Sequence, residues 1–274
     1  MNDGSPIADV VARMQDRLDA LPEELAHRRF FLSTYLRTTQ AVGRAIDNAR
    51  FEDPEWVELW DVKFAELYLQ AHDADLAARR PAADAPRVGE GAAPDRGVTL
   101  GEKPAGRPGV PRPWRLAFEA PGELAPLAHV LLGINAHVNY DLPQALLAVI
   151  SDEDFLDQRL LDRRRRDHER IDGVLAERVS AEDDELAASK AKSLLDRVLT
   201  PLNRLSSQRF LRESRQKVWH NTVEIQQARL DGTYDKRLAE LEVLSAAKVA
   251  DLLRPGQVLL RLAVTGFGVT LPPA

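Results

Sequence analysis

Residues 129–143 read His-Val-Leu-Leu-Gly-Ile-Asn-Ala-His-Val-Asn-Tyr-Asp-Leu-Pro, and polar side chains recur there at a spacing that could do chemistry. His129, Gly133, His137 and Asp141 stand four apart, so on a helix they share one face. His137 and Asp141 could meet at one metal ion, or act on a substrate as a base with its orienting carboxylate. His129 lies about 12 Å further along a straight helix, at about 1.5 Å per residue, and cannot join a tight first shell. Gly133 leaves that face bare, with room for a ligand or a crossing backbone. Asn135 and Asn139 add polar groups to a stretch otherwise rich in Leu, Ile and Val. Buried and unpaired, each would cost about 1–3 kcal/mol, so they must form a network or face a polar pocket. Pro143 has no amide to give the carbonyl of Asn139 and is expected to bend the helix. A polar network that only locks the bundle would use the same residues without catalysis.

A second pair stands at Trp219-His220-Asn221-Thr222-Val223-Glu224, where His220 and Glu224 are again four apart. With His137 and Asp141 they make a possible four-ligand set from two helices, the way bundles build metal sites. Imidazole suits zinc or manganese and carboxylate suits magnesium, so one divalent ion is the expected cofactor if there is one. The plain alternative is an exposed i,i+4 pair. Arg163–Arg166, flanked by Asp162 and Asp167, reads as a solvated helix face. No glycine-rich phosphate loop, nucleophile elbow or dinucleotide fingerprint is present.

The elements that must position these groups belong to a chain of 274 residues, 44% hydrophobic and 29% charged, enough for one substantial core. Lys and Arg number 37 against 43 Asp and Glu, a net charge of -6 that argues against a broad nucleic-acid surface. With no cysteine, disulfides, thiol nucleophiles and thiolate metal sites are excluded. No uncharged apolar run reaches about 18 residues, so no membrane span is expected. The acidic, amphipathic start lacks a secretory pattern, which makes a cytoplasmic location the expectation.

Helix signals recur along the chain. Ser5-Pro6 and Asp53-Pro54 are caps followed by a proline at the first helical position. They open helices through Val10, Met14 and Leu18, and from Trp56 to about Ala78. Between them a helix is predicted over Glu23–Asn48. Residues 79–113 are rich in Pro, Gly and Ala, and read as a flexible or surface-laid connection inside the domain. An apolar helix follows over Leu124–Ile150. Ser151 with Asp154, and Ser180 with Asp183, are Ser-x-x-acid boxes that predict two further starts. Thr200-Pro201 opens a helix to Gly232, and Thr233 one that ends before Pro255. Residues 256–274 read as a hairpin or an extended tail. The expectation is a single all-α domain, a bundle of seven or eight helices.

The blocks Arg29–Thr39, Phe51–Val57, Phe64–Tyr68, Trp114–Phe118 and Leu131–Pro143 resemble a family of actinobacterial and fungal helical proteins, domain-of-unknown-function family 5995. That resemblance implies a helical fold and brings no reaction. Gly133-x-x-x-His137-x-x-x-Asp141 is also similar, more distantly, to a helix of zinc-dependent phospholipase C and single-strand nucleases. That likeness implies His137 and Asp141 as zinc ligands; the following His and the N-terminal Trp ligand have no counterpart here, so it implies one ion at most. Glu153–Asp157 resembles the acidic motif that holds magnesium and diphosphate in terpene cyclases. Its partner pattern is carried by Asn203 and Ser207 but has Leu211 in place of Glu.

Taken together, the expected function is a small-molecule enzyme of hydrolase or cyclase/lyase type acting on an apolar substrate. It would use His137, Asp141, Asn135 and His129, in a pocket between the 124–150 helix and the helix bearing His220. A non-catalytic binding or scaffold protein, or a terpene-cyclase-like enzyme, are the alternatives.

Overall fold

The computed structural model describes residues 4–79, 109–188, 208–255, 261–262 and 266–273. Among them there is helix and no strand, as the periodicity predicts. Helix α1 spans Pro6–Asp19 and buries Ile7, Val10 and Met14. Ser5 does not cap it; its hydroxyl donates to Glu58 instead. The predicted Glu23–Asn48 helix starts as a 3₁₀ turn, Glu23–Arg28, because Leu25 leaves helical geometry (φ -110°, ψ 15°). It continues as α2, Arg29–Asp47. Helix α3, Pro54–Arg79, is capped as expected, the Trp56 amide donating to Asp53 Oδ1 at 3.2 Å.

Beyond the connection, of which 80–108 lie outside the described residues, come α4 (Arg112–Phe118) and α5 (Pro126–Ala136). The predicted bend at Pro143 is a π-turn over His137–Asp141, which leads into α6, Leu142–Val149. A proline amide cannot close the α-helical ring. The Leu142 amide bonds to the His137 carbonyl five residues back. The Tyr140 carbonyl is met by the Gln144 side chain at 2.7 Å.

The Ser151 box forms reciprocally, at 3.1 and 3.2 Å, yet it opens only a 3₁₀ turn, Asp154–Leu156. Helix α7, Gln158–Ala188, takes its own cap from Asp157. It runs without a break through the Ser180 box, where no helix begins. The Thr200-Pro201 cap lies outside the described residues. Helix α8 is described over Gln208–Leu230. Its exit follows the predicted glycine: Gly232 has φ +78°, and the Thr233 amide returns to Ala228 O at 2.8 Å. Helix α9 is Tyr234–Leu253.

The broken rod α5–π-turn–α6 lies at the centre: α5 packs on α2 and α9, α6 on α3 and α8. One large apolar cluster joins α1 to α6 with the inner faces of α7, α8 and α9.

The arginine run is in part the solvated face expected: Arg165 and Arg166 are exposed, while other members and the flanking Asp167 join a second element. Asp167 is fully buried and accepts the amides of Glu52 and Asp53 at 2.9 and 2.7 Å. Arg164 lies over the Trp56 ring and bonds Asp53, while Arg166 and Arg170 grip Glu52. Arg163, Arg164 and Arg166 lock α7 to the start of α3, because that turn presents acids to them, while Arg165 pairs within α7 with Glu169.

Candidate functional site

The π-turn turns two of its side chains into the core. His137 Nδ1 lies 2.8 Å from Asp141 Oδ2, and the Trp114 indole N–H donates to the same oxygen at 2.7 Å. The i,i+4 meeting inferred from the sequence is there, with a third member that the sequence did not single out. Residues 114 and 141 belong to different helices, and no local period links them.

An aromatic cage surrounds the imidazole. Phe64 stacks on it at 3.5 Å between centroids and 5° between planes, and Tyr35 meets it edge-on at 4.5 Å. Trp114, Phe31 and Tyr68 complete the cage. His137 is 2% and Asp141 1% exposed. His137 Nε2 is buried with no hydrogen-bond partner. Burial drives both groups toward their neutral forms. It holds the imidazole well below the usual histidine range and the carboxyl well above the usual carboxylate range, the indole N–H opposing the second shift. In a neutral pair one proton lies between Nδ1 and Oδ2, and the tautomer sets whether the second sits on Nε2 or on Asp141 Oδ1.

Three walls of this cage, Phe31, Tyr68 and Trp114, also line a small cleft together with His27, Arg28 and His129. Gly133 is part of its lining, but not as bare space. A Cβ on Gly133 would come within 2.3 Å of the Phe31 ring, so the expected room is filled by Phe31. His129 stands apart from His137, as its axial offset predicts. Its ring lies 4.9 Å from His27, and burial lowers it to about 4, helped by that second imidazole, so it is neutral at pH 7.

On the other side of Tyr35 lies a second buried polar group. Asp61, one turn before Phe64, is pushed up to about 7 by burial, against the opposing Arg215. Arg215 bonds Asp172 at 2.9 Å and His168 at 3.3 Å. His168 is fully buried between the rings of Trp60 and Trp219, and burial holds it well below the usual range. Tyr35 is raised well above the usual phenol range, first by burial and then by Asp61 and Asp141 on either side. Helical spacing identifies Tyr35 and Asp61 only as positions on amphipathic helices.

The remaining expected site residues serve elsewhere. Asn135 donates to Leu131 O at 2.8 Å and accepts from Asn139 at 3.3 Å, so neither amide faces the cage. His220 Nε2 lies 3.2 Å from Leu271 O, and Glu224 pairs with Arg237 at 2.7 Å. Among the described residues no group of three or more His, Asp or Glu side chains could hold a metal. His137, Asp141, His220 and Glu224 are therefore not brought together. The expected pocket between their helices is filled by the chain's own residues 267–271. Two acids of the Glu153–Asp157 motif are engaged: Asp154 and Asp157 cap their turns. Asn203 and Ser207 lie outside the described residues, and no side chain of Leu211 is described.

Fold and site together define an all-α protein with a buried, hydrogen-bonded His–Asp pair in an aromatic core. The chain matches the model of a "Family of unknown function (DUF5995)" over residues 7–100 and 98–255, and it belongs to that family. No curated protein and no solved structure matches it. Among the described residues, no helix is long and apolar enough to cross a membrane.

Proposed function

We propose that this chain is an acid–base enzyme of hydrolase or lyase/cyclase type, acting on a small, mostly apolar molecule, with His137 and Asp141 as its proton-handling pair. One observation carries this reading: an imidazole nitrogen, Nε2, is buried without a partner while its other nitrogen is held by a carboxyl that is itself held by Trp114. A base or acid oriented by a third group is the arrangement that proton transfer needs. In this reading Nε2 gives its proton to a substrate oxygen, and the proton shared with Asp141 moves onto Nδ1. The imidazole stays neutral, and the negative charge rests on Asp141, facing the Trp114 N–H. Return of a proton to Nε2 from the substrate or product resets the pair. The substrate enters by the cleft under His27 and His129, and its apolar body replaces ring contacts of Phe31, Tyr68 and Trp114.

The donor set does not fit a metal: His137 and Asp141 are engaged with each other, the Trp114 N–H points at the Asp141 oxygen, His220 meets Leu271 O and Glu224 pairs with Arg237. The reading is accordingly metal-free. The face-to-face Phe64 ring at 3.5 Å favours a second reading, a binding or scaffold protein in which the pair only locks the π-turn.

A thermal-shift panel of small esters, lactones and tertiary alcohols separates the two. On the enzyme reading, some compound raises the melting temperature of the wild type and fails to raise that of His137→Phe, and any turnover is lost with it. The lock reading is supported if no compound shifts the wild type while Asp141→Asn and His137→Phe each cost about 1–3 kcal/mol, the usual penalty of orphaning a buried neutral partner.

A further inference from the structure

The cleft beside the His137 cage gathers buried polar atoms that nothing in the fold satisfies. Arg28 is 5% exposed and bonds through Nη2 alone, to Asp75 at 2.7 Å and to the Phe118 carbonyl at 3.2 Å. Its Nε and Nη1 are buried without a hydrogen bond, and so is Nε2 of both His27 and His129. All three side chains line the one cleft, the two imidazoles 4.9 Å apart. Backbone bonds to Phe118 and Gly122 fix the two rings. A buried donor left unpaired is costly, and more so on a charged group. Here three residues from two elements, the 3₁₀ turn and α5, leave such atoms at the same place.

Pairing with Asp75 does not account for Arg28. Arg79 Nε reaches the same Asp75 oxygen at 2.6 Å, so two guanidinium groups share one oxygen of a fully buried carboxylate. The acid beside His129 is Glu123, which is exposed. A cation in the cleft would face Arg28; an anion would meet its unused N–H groups. The free space, about 20 Å³, is between one and two water-sized groups, which suits the planar head of a carboxylate better than a tetrahedral phosphate.

We infer that this cleft is a carboxylate-binding subsite, and that the substrate of the proposed reaction is a small apolar carboxylic acid held by Arg28, His27 and His129. The inference rests on the enzyme reading for the reaction and deepens it by naming the substrate class. One carboxylate oxygen accepts from Arg28 Nε or Nη1. A neutral imidazole that donates through one nitrogen presents the other as an acceptor, so a proton taken up from solvent bridges the second oxygen and an imidazole Nε2. The apolar body of the acid lies against Phe31, Tyr68 and Trp114, which also enclose His137. Head and reacting centre are thus bound through one shared set of rings.

The test titrates hexanoate, hexanamide and inorganic phosphate into the full chain at pH 7, by calorimetry in two buffers of different ionisation enthalpy. Hexanoate should bind saturably, about tenfold or more tighter than hexanamide, with net uptake of a proton. Arg28→Gln should weaken hexanoate by about tenfold or more and leave hexanamide unchanged, and Arg28→Lys should recover part of the loss. The comparison of acid with amide is made on the wild type, so it stands even if Arg28→Gln does not melt cooperatively. Absence of saturable hexanoate binding overturns the inference, as does equal binding of acid and amide. Phosphate binding more tightly than hexanoate overturns the carboxylate assignment. Binding is read apart from turnover: hexanoate bound by a chain that turns over nothing removes the enzyme reading and keeps the subsite. Turnover that His137→Phe abolishes, in a chain that does not bind hexanoate, keeps the enzyme reading and removes the subsite.

Discussion

The ring of Phe31 occupies the space a side chain at position 133 would need: a Cβ on Gly133 would sit 2.3 Å from Phe31 Cδ2 and 2.4 Å from Cγ. One glycine thus lets α2 and α5 approach closely enough for Phe31 to be shared between the His137 cage and the cleft. Gly133→Ala should push the ring off its rotamer and cost about 1–3 kcal/mol, the usual penalty of overpacking. Urea unfolding checks this; an unchanged midpoint would show that Phe31 has room to move.

Asp61 and His168 make opposite contributions to the pH dependence of stability. Asp61 is raised to about 7 in the folded chain from an ordinary value of 3.8, so between those values the folded state holds a proton that the unfolded state has lost. Stability from this group is whole below pH 3.8 and is lost as pH rises toward 7, at about 1.4 kcal/mol per unit. His168 is lowered, so below pH 6.5 the unfolded state takes up a proton that the folded state refuses, and stability falls as pH falls. Between pH 4.5 and 6, Asp61→Asn should therefore make the slope of stability against pH more positive, and His168→Gln more negative. Urea midpoints at several pH values measure both; slopes moving together would contradict the burial described for one of them.

Asn221 satisfies the amide of the fully buried Leu271. Asn221→Ala leaves that N–H and the Val269 carbonyl without this partner and should cost about 1–3 kcal/mol. Hydrogen exchange gives the local readout: the amides of Val269 and Leu271 should lose protection while those of α3 keep theirs. Uniform loss over both would mean that the tail is an inseparable part of the core.

Asp167 joins α7 to the entrance of α3 through two backbone amides and Arg170. Asp167→Ala orphans both amides, while Arg170 keeps Glu52, and should cost about 2–4 kcal/mol, since bonds to a charged acceptor are worth more than neutral ones. Asp167→Asn, which keeps one acceptor oxygen, should recover part of that loss. Equal losses for the two variants would argue that packing, not amide capping, fixes this corner.

The sequence by itself determined the all-α class, the helix starts at Pro6 and Pro54, the exit at Gly232, the disruption at Pro143 and the meeting of His137 with Asp141. Each depends on residues within about one helical turn, where caps, missing amides and i,i+4 spacing act without help from the rest of the chain. Tertiary structure alone decided that Trp114 completes the pair, that Phe64 and Tyr35 enclose it, and that the arginine run grips Glu52 and Asp53. It also sent His220 to the tail segment and Glu224 to Arg237 of α9 instead of the imidazole, because residues 267–271 fill the space between their helices. Such pairings join positions dozens of residues apart. They are chosen by which apolar faces bury together and by which buried amides and carboxyls then need partners, and local spacing carries no record of either.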